Sequence, residues 1–316
     1  MAYSAGDTIL DDEYNAFVTN SSSPFGYNHF AGTGSTVYGM GQAAISAVSA
    51  GAAISASQWN TLFTGLDNIA NHTNVSITAS SVSAGNAIAI RSALITDLAS
   101  LSAAVAAGCV SATALGTNAV GSSSNGATWN TSSTIERSVT FASADTMRHF
   151  FNAGGSIRVD PSCTTGIGSK DDVFNDLTVT AIGNIDIGAH ASTRSGSGET
   201  LTTNGLANGF HDLSTSYVTI LKLTSDNSGY TSDTVEIFAK LDAAVGTAVA
   251  ITVKMVSTDP AADDTYTAGN TSGVPANPNE APIMTLALIE EYPTNAQGLT
   301  ANIQSASNAE VSNSQS

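Results

Sequence analysis

The chain has 316 residues, and 11% of them are charged, against about 25% in a typical soluble protein. Nine Lys and Arg stand against 26 Asp and Glu, which gives a formal net charge of −17 at pH 7. This charge repels phosphate backbones and anionic headgroups, so the composition excludes nucleic acid as a partner. Apolar residues make up 42% of the chain, enough for normal cores in two or three domains.

The N-terminus has an acidic cluster, Asp11 to Glu13, and no Lys or Arg before its first apolar residues. This pattern is unlike a secretion signal. The longest weakly polar run, residues 92–110, contains Asp97 and several serines, and it lacks the about 18 consecutive apolar residues of a membrane span. We therefore expect neither a secretion signal nor contact with a membrane.

One short sequence occurs twice: residues 4–17 read SAGDTILDDEYNAF and residues 49–62 read SAGAAISASQWNTL. A weaker third copy begins at Ser83. The glycine of each copy permits a turn, and the polar residues after it can cap a helix. The repeat therefore predicts two equivalent helices that pair within one chain or across a subunit boundary, or a turn and helix that the fold simply uses twice. The aligned pairs are Gly6 with Gly51, Ile9 with Ile54, Tyr14 with Trp59, and Asn15 with Asn60.

Helical periodicity continues after the second copy. Residues 58–72 place apolar side chains on one helical face, namely Trp59, Leu62, Phe63, Leu66, Ile69 and Ala70. Residues 86–107 repeat apolar positions every three or four residues, which predicts a helix that stops at Gly108. Residues 21–42 are rich in Gly, Ser and aromatics and indicate an ordered loop that can lie on a neighbouring surface. Residues 116–133 are typical of a linker.

The apolar period changes to two beyond residue 130. Alternation at Val235, Ile237, Ala239 and Leu241 predicts a half-buried antiparallel strand. Similar β-branched runs, separated by turn residues, favour a β-sandwich. The runs are 134–142, 155–160, 177–189, 216–225, 233–242, 249–258 and 282–291. One helix interrupts them, with Ser143 or Asp145 as its N-cap and Gly154 as its stop.

These patterns predict an α+β fold in which an N-terminal repeat and helical region precedes a mainly antiparallel β-sandwich domain with one inserted helix. The C-terminal arm is polar and nearly without pattern, so we expect it to order only against a partner. The predicted divisions are a duplicated turn-helix region 1–78, a helix and Gly/Ser-rich linker 79–130, a β-sandwich domain 131–295 and a polar arm 296–316.

The sequence contains few motifs that are typical of catalytic or metal-binding sites. The histidines have no metal-ligand spacing, and no nucleophile elbow, phosphate loop or dinucleotide pattern occurs. Cys109 and Cys163 have no CxxC spacing, so two thiols or one disulfide remain open. The acidic loops 225–229 and 257–266 depart from the calcium-loop pattern. We expect no enzyme, no catalytic residue, no cofactor and no metal.

Paired carboxylates are the residues that glycoside hydrolysis requires. The sequence brings no two of them to the required separation, so solvated carboxylates are the simpler interpretation. The candidates are Asp171, Asp172, Asp176, Asp186 and Asp233.

Residues 147–159 read MRHFFNAGGSIRV. The two repeats and the phrase YGMGQ precede this segment, and the phrases HDLSTSYVTIL and DTVEIFAKLD follow it. In this order the phrases resemble virion structural proteins of tailed phages, especially myophages of marine bacteria and cyanobacteria. The resemblance spans about residues 4–260 and implies a particle component without catalytic residues. Ala52, Ala53 and the Ala/Ser-rich helix after Ser83 depart from the pattern, which leaves the position in the particle open.

The resemblance and the composition together predict a non-enzymatic virion protein, assembled in the host cytoplasm at the neck, collar, tail or fibre-attachment region. Its partners are copies of itself and other virion proteins. One alternative is a capsid decoration or cement protein. Another is a fibre module that contacts host surface glycan through residues 191–209. Five large apolar residues are candidates for packing faces between subunits, or else ordinary core: Tyr14, Trp59, Phe63, Phe150 and Phe151.

Overall fold

The structure is a computed structural model, and it describes residues 11–22, 24–32, 39–83, 91–106, 115–164, 169–260, 281–292 and 307–315. The chain divides into two compact units. The helical unit comprises Met1–Gly116, Ser143–Gly155 and Tyr292–Ser305, and the sheet unit comprises Thr117–Ala142, Ser156–Glu291 and Ala306–Ser316. Helices and two antiparallel sheets confirm the predicted α+β class.

The helical unit contains α1 (Asp11–Thr19), α2 (Tyr27–Ala31), α3 (Ala56–Thr73), α4 (Arg91–Ala106) and α5 (Ala144–Asn152). Both copies of the repeat thus lead into a helix. A capping box starts α3, because the Ser55 side chain accepts from the Gln58 backbone N–H while the Gln58 side chain accepts from Ser55 N–H. The helix ends at Asn74, which takes the left-handed conformation. The whole predicted apolar stripe of α3 is buried.

A glycine inside α3 permits close packing with α2. A Cβ atom at Gly65 would lie 2.6 Å from Cε2 of Tyr27, much closer than a van der Waals contact. Glycine is unfavourable in a helix interior by about 1 kcal/mol relative to alanine, so its presence here has a packing reason.

The sheet unit contains eleven strands among the described residues. They form a five-stranded sheet of order β1-β10-β3-β4-β5 and a six-stranded sheet of order β11-β2-β9-β8-β7-β6. The strands are β1 (Gly116–Ser124), β2 (Ser132–Thr140), β3 (Ser156–Cys163), β4 (Ile185–Ile187), β5 (Ser192–Arg194), β6 (Thr200–Asn204), β7 (Val218–Thr224), β8 (Thr234–Leu241), β9 (Ala250–Thr258), β10 (Met284–Tyr292) and β11 (Ser307–Gln315).

Period-two patterning is confirmed where the sequence predicted it most strongly. Strand β8 alternates between half-buried and buried positions, and Val235, Ile237, Ala239 and Leu241 are its buried row. Six of the seven predicted β-branched runs correspond to β2, β3, β7, β8, β9 and β10. The alternation arises because successive side chains of a strand point to opposite faces of the sheet.

The prediction of one strand over 177–189 is wrong. A helix α6 (Ser169–Asn175) continues into a π-helical segment (Asp176–Ile182), and only Ile185–Ile187 forms a strand, β4. The buried residues of the π-helical segment are Leu177, Thr178, Ala181 and Ile182. This spacing buries one helical face, and a β-branched composition alone does not reveal it.

Two polar segments that the sequence predicted to lack secondary structure also contain strands. The predicted linker contains β1, and the predicted arm contains β11, which pairs antiparallel with β2 of the same chain. Residues 191–209, the candidate glycan contact, contain β5 and β6. Such strands lie at sheet edges, where backbone hydrogen bonds suffice and no apolar pattern is needed.

The inserted helix is confirmed as α5, between β2 and β3 in the chain. Ser143 is its N-cap and accepts a hydrogen bond from the Thr146 backbone N–H. Gly154 follows with φ 90°, a conformation that favours glycine at a helix end. This helix belongs to the helical unit: His72 on α3 contacts the carbonyl oxygen of Ala153 at 2.6 Å.

Candidate assembly surface

All five aromatic residues that the sequence nominated for packing are buried, with at most 4% of any of them exposed. Tyr14 meets Trp59 edge to face at 5.4 Å between ring centroids, and Trp59 stacks on Phe63 at 5.6 Å. Phe150 and Phe151 meet each other at 5.1 Å. Within the chain these five residues therefore form core contacts, the second of the two predicted roles.

The two equivalent helices meet within one chain. Besides the ring contact between Tyr14 and Trp59, the Tyr14 hydroxyl donates to the carbonyl oxygen of Gln58 at 3.2 Å. Equivalent positions of the repeat thus contact each other, as the pairing hypothesis predicted for a single chain.

Two segments outside helices and sheets lie on the helical core. We call residues 43–49 the first strap and residues 75–83 the second strap. The Asn15 side chain donates to the carbonyl oxygen of Val48 at 2.9 Å and accepts from its N–H at 2.8 Å. Asn60 holds Val82 in the same way, at 3.0 and 2.8 Å. Each asparagine amide therefore pairs with both the N–H and the C=O of one strap residue. The backbone of a neighbouring strand does the same in an antiparallel ladder.

These asparagine clamps follow the repeat. Asn15 and Asn60 occupy the same position in the two copies, and Val48 and Val82 each stand directly before a Ser-Ala-Gly sequence. Each repeat helix thus binds the segment that leads into the next copy. A third clamp joins Asn28 to Ile45, at 2.8 and 2.9 Å. The alignment of the two asparagines was visible in the sequence, but their partners were not.

The second strap has a further anchor on α4. Asp97 is 3% exposed, and its carboxylate accepts from the backbone N–H of Thr78 at 3.0 Å and of Ala79 at 2.8 Å. The Thr78 hydroxyl adds a bond at 3.2 Å. A buried carboxylate is tolerated when its oxygens are hydrogen-bonded in this way.

Replacing Asn60 by alanine is expected to lower the free energy of unfolding by about 1–3 kcal/mol, because both backbone groups of Val82 lose their partner. Asn71→Ala is the matched control, since Asn71 lies on the same helix and its exposed amide bonds only to Asp67. Denaturant unfolding followed by circular dichroism measures both. Equal losses in the two variants would contradict a structural role for the clamp.

The outer side of the first strap is exposed and carries small side chains. Ile45 and Val48 pack on the helical core, whereas Ala44, Ser46, Ala47 and Ser49 are exposed. An open groove of about 450 Å³ lies between this strap and the first turns of α3. No Asp, Glu, Lys or Arg occurs in residues 14–66. Depletion of charge is typical of the centre of a protein interface.

Burial lowers the pKa of three histidines in the helical unit: His29, His72 and His149. His72 is fully buried, and its Nε2 lies 2.6 Å from the carbonyl oxygen of Ala153, which opposes the shift. Because the carbonyl can only accept, Nε2–H donates, which the neutral ring can do.

The helical unit is therefore expected to lose stability as the pH falls below about 6.5, the value for an unfolded histidine. Below that pH the unfolded chain binds protons that the folded unit, with lowered pKa values, does not bind. Unfolding at a series of pH values measures the loss. His72→Gln keeps a hydrogen-bond donor and should flatten the pH dependence, whereas Asn71→Ala, which removes no ionisable group from the same helix, should leave it unchanged. A pH dependence unaltered in His72→Gln would contradict the assignment.

The histidines, cysteines and carboxylates of the described residues do not form a metal site. Among the residues that the structure describes, no three His, Cys, Asp or Glu side chains are arranged to hold a metal ion. Of the carboxylates considered for glycoside hydrolysis, Asp186 pairs with Arg158 at 3.2 Å, and Asp233 is fully buried. Burial raises the pKa of the Cys163 thiol to about 11, and Cys109 lies outside the described residues.

Within the same described ranges, no helix combines the length and the apolar character needed to cross a bilayer. Comparison with known proteins gives no significant match to a protein-family profile, to a curated protein or to a solved structure. The function must therefore be inferred from the chain's own sequence and geometry.

Proposed function

We propose that this chain is a non-enzymatic structural component of a bacteriophage virion, assembled in the host cytoplasm through contacts with its own copies and with other virion proteins. The neck, collar, tail or fibre-attachment region is its proposed position. The phrases that resemble virion proteins supply the framework of the helical unit: the two copies of the repeat lead into α1 and α3, and the HFFNAGG phrase ends α5.

The observation that carries the proposal is the uncharged surface of the first strap. At a net charge of −17, two copies of the chain repel each other. Residues 14–66 carry no charged side chain of the Asp, Glu, Lys or Arg type, so copies can meet there without placing like charges together. The asparagine clamps fix the backbone of the strap on the helical core, so the strap loses less conformational entropy when a partner binds.

A charge placed on the strap tests this surface. Ala47→Glu adds a carboxylate at an exposed position, and we expect it to prevent self-association without unfolding the chain. Ala244→Glu, exposed in the sheet unit, adds the same charge outside the proposed surface. Sedimentation velocity of the full chain over a range of concentrations should show oligomers for the wild type and Ala244→Glu, and smaller species for Ala47→Glu. A monomeric wild type, or unchanged oligomers in Ala47→Glu, would contradict the proposed surface.

A further inference from the structure

A lysine and an aspartate meet in the interior of the sheet unit. The Lys170 Nζ atom, on α6, lies 2.7 Å from Oδ2 of Asp259, and both side chains are 0% exposed. Asp259 directly follows β9, and its backbone N–H donates to the carbonyl oxygen of Thr131 at 3.0 Å. Amine and carboxyl are therefore held in contact by elements from distant parts of the chain.

A second buried carboxyl group lies beside this pair. In the ladder of β8 and β9, Thr234 is opposite Thr258 and Val235 is opposite Ser257. Asp233 directly precedes β8 and Asp259 directly follows β9, so the two residues flank the last pair of this ladder, Thr234 and Thr258. Asp233 is fully buried, and its backbone is held by hydrogen bonds with Tyr230 and Ser225. Because both residues adjoin the same end of two paired strands and both are buried, the two carboxyl groups lie at the same end of this ladder, inside the sheet unit.

The helix that carries Lys170 also buries apolar side chains. Val173 and Phe174 on α6 are buried, and the Phe174 ring meets Trp129 at 5.1 Å. An ion pair without solvent is weakly stabilising at best, because both charges lose their hydration. Burial disfavours isolated charges, and transfer of one proton within the pair gives the neutral amine and the protonated carboxyl group, the forms that react with each other.

We propose that Lys170 and Asp259 condense to an intramolecular isopeptide bond, and that Asp233 transfers the protons. The neutral Nζ attacks Cγ of the protonated Asp259 carboxyl, and a new C–N bond forms. Asp233 accepts a proton from Nζ and delivers it to the departing hydroxyl, which leaves as water when the C–O bond breaks. An ammonium and a carboxylate thus become one neutral amide plus one water molecule, without oxidation and without a co-reactant.

The arrangement supplies what the condensation requires. The fold already holds the Lys170 amine and the Asp259 carboxyl group 2.7 Å apart, so the reaction does not require a bimolecular encounter. A neighbouring carboxyl group can serve as both general base and general acid. The bond would join residues 89 positions apart and restrict the unfolded chain as a disulfide does. The inference concerns the sheet unit and stands whether or not the strap surface mediates assembly.

Mass spectrometry of the intact, denatured full-length chain tests the bond. The expected mass is lower than that of the sequence by one water molecule, and proteolysis should release a branched peptide that joins Lys170 to Asp259. Lys170→Met and Asp233→Asn should show no loss of water. Lys222→Met, which alters a half-exposed surface lysine, should keep the loss.

The wild type decides the question even if a variant fails to fold. A wild-type chain at its full sequence mass would overturn the proposal. A loss of water that persists in Lys170→Met would place the dehydration elsewhere, for example in an aspartate succinimide, and would overturn it as well. Bond formation in folded Asp233→Asn would overturn the role of Asp233.

Discussion

Replacing Trp59 by alanine is expected to lower the free energy of unfolding of the helical unit by about 3–5 kcal/mol. Trp59 is 2% exposed and joins the two repeat helices, since its ring meets Tyr14 at 5.4 Å and Phe17 at 6.1 Å. Removal of the ring leaves a cavity where α1 and α3 meet. Denaturant unfolding followed by the helical circular dichroism signal measures the loss.

Trp59→Phe is the matched control, because it keeps an aromatic ring and leaves a smaller cavity. The loss in Trp59→Phe should be clearly smaller than in Trp59→Ala. A loss below about 1 kcal/mol in Trp59→Ala would be typical of a surface position, and it would show that the repeat helices do not pair through this ring.

Replacing Asp97 by alanine is expected to destabilise the helical unit by about 3 kcal/mol, since hydrogen bonds to a charged group contribute about 1.5–3 kcal/mol each. The carboxylate accepts from the backbone N–H groups of Thr78 and Ala79, and both would lose their acceptor. The second strap should then open locally. Hydrogen exchange at these two amides, together with thermal unfolding, measures the effect.

Asp97→Asn separates charge from geometry, because it keeps one carbonyl oxygen in the same place. The free energy of unfolding of Asp97→Asn should lie between those of the wild type and of Asp97→Ala. Unchanged amide protection at Thr78 and Ala79 in Asp97→Ala would contradict the assignment of Asp97 as the anchor of the second strap.

The sequence predicted those elements whose periodicity reports burial directly. The stripe from Trp59 to Ala70 identified α3, and the alternation from Val235 to Leu241 identified β8. The N-cap Ser143 marked the start of α5. In each case the signal lies within the element itself, so the element can be predicted without knowing which residues pack against it.

Other features depend on partners that are distant in sequence. The clamp of Asn15 on Val48 joins positions 33 residues apart, and only the fold brings them together. Strand β11 carries a polar sequence and pairs with β2 through its backbone, so its side chains give no signal. The role of Trp59 stayed open in the sequence because core and interface favour the same large apolar residues.

The carboxyl chemistry of the sheet unit was missed for the same reason. The sequence offers Asp233 only as a candidate for glycoside hydrolysis, whereas Asp259 and the amine of Lys170 meet because β9 and α6 bring together residues that are distant in the chain. A solvated loop carboxylate and a buried one look alike in sequence.

Immunogold electron microscopy of intact phage particles, with an antibody raised against the full chain, tests the proposed virion role most directly. We expect gold at the neck, collar, tail or fibre-attachment region, with no labelling by pre-immune serum. Gold spread over the head would contradict the proposed position and favour the capsid decoration or cement alternative. Particles without any gold, from a lysate that contains the chain in soluble form, would contradict the virion role itself.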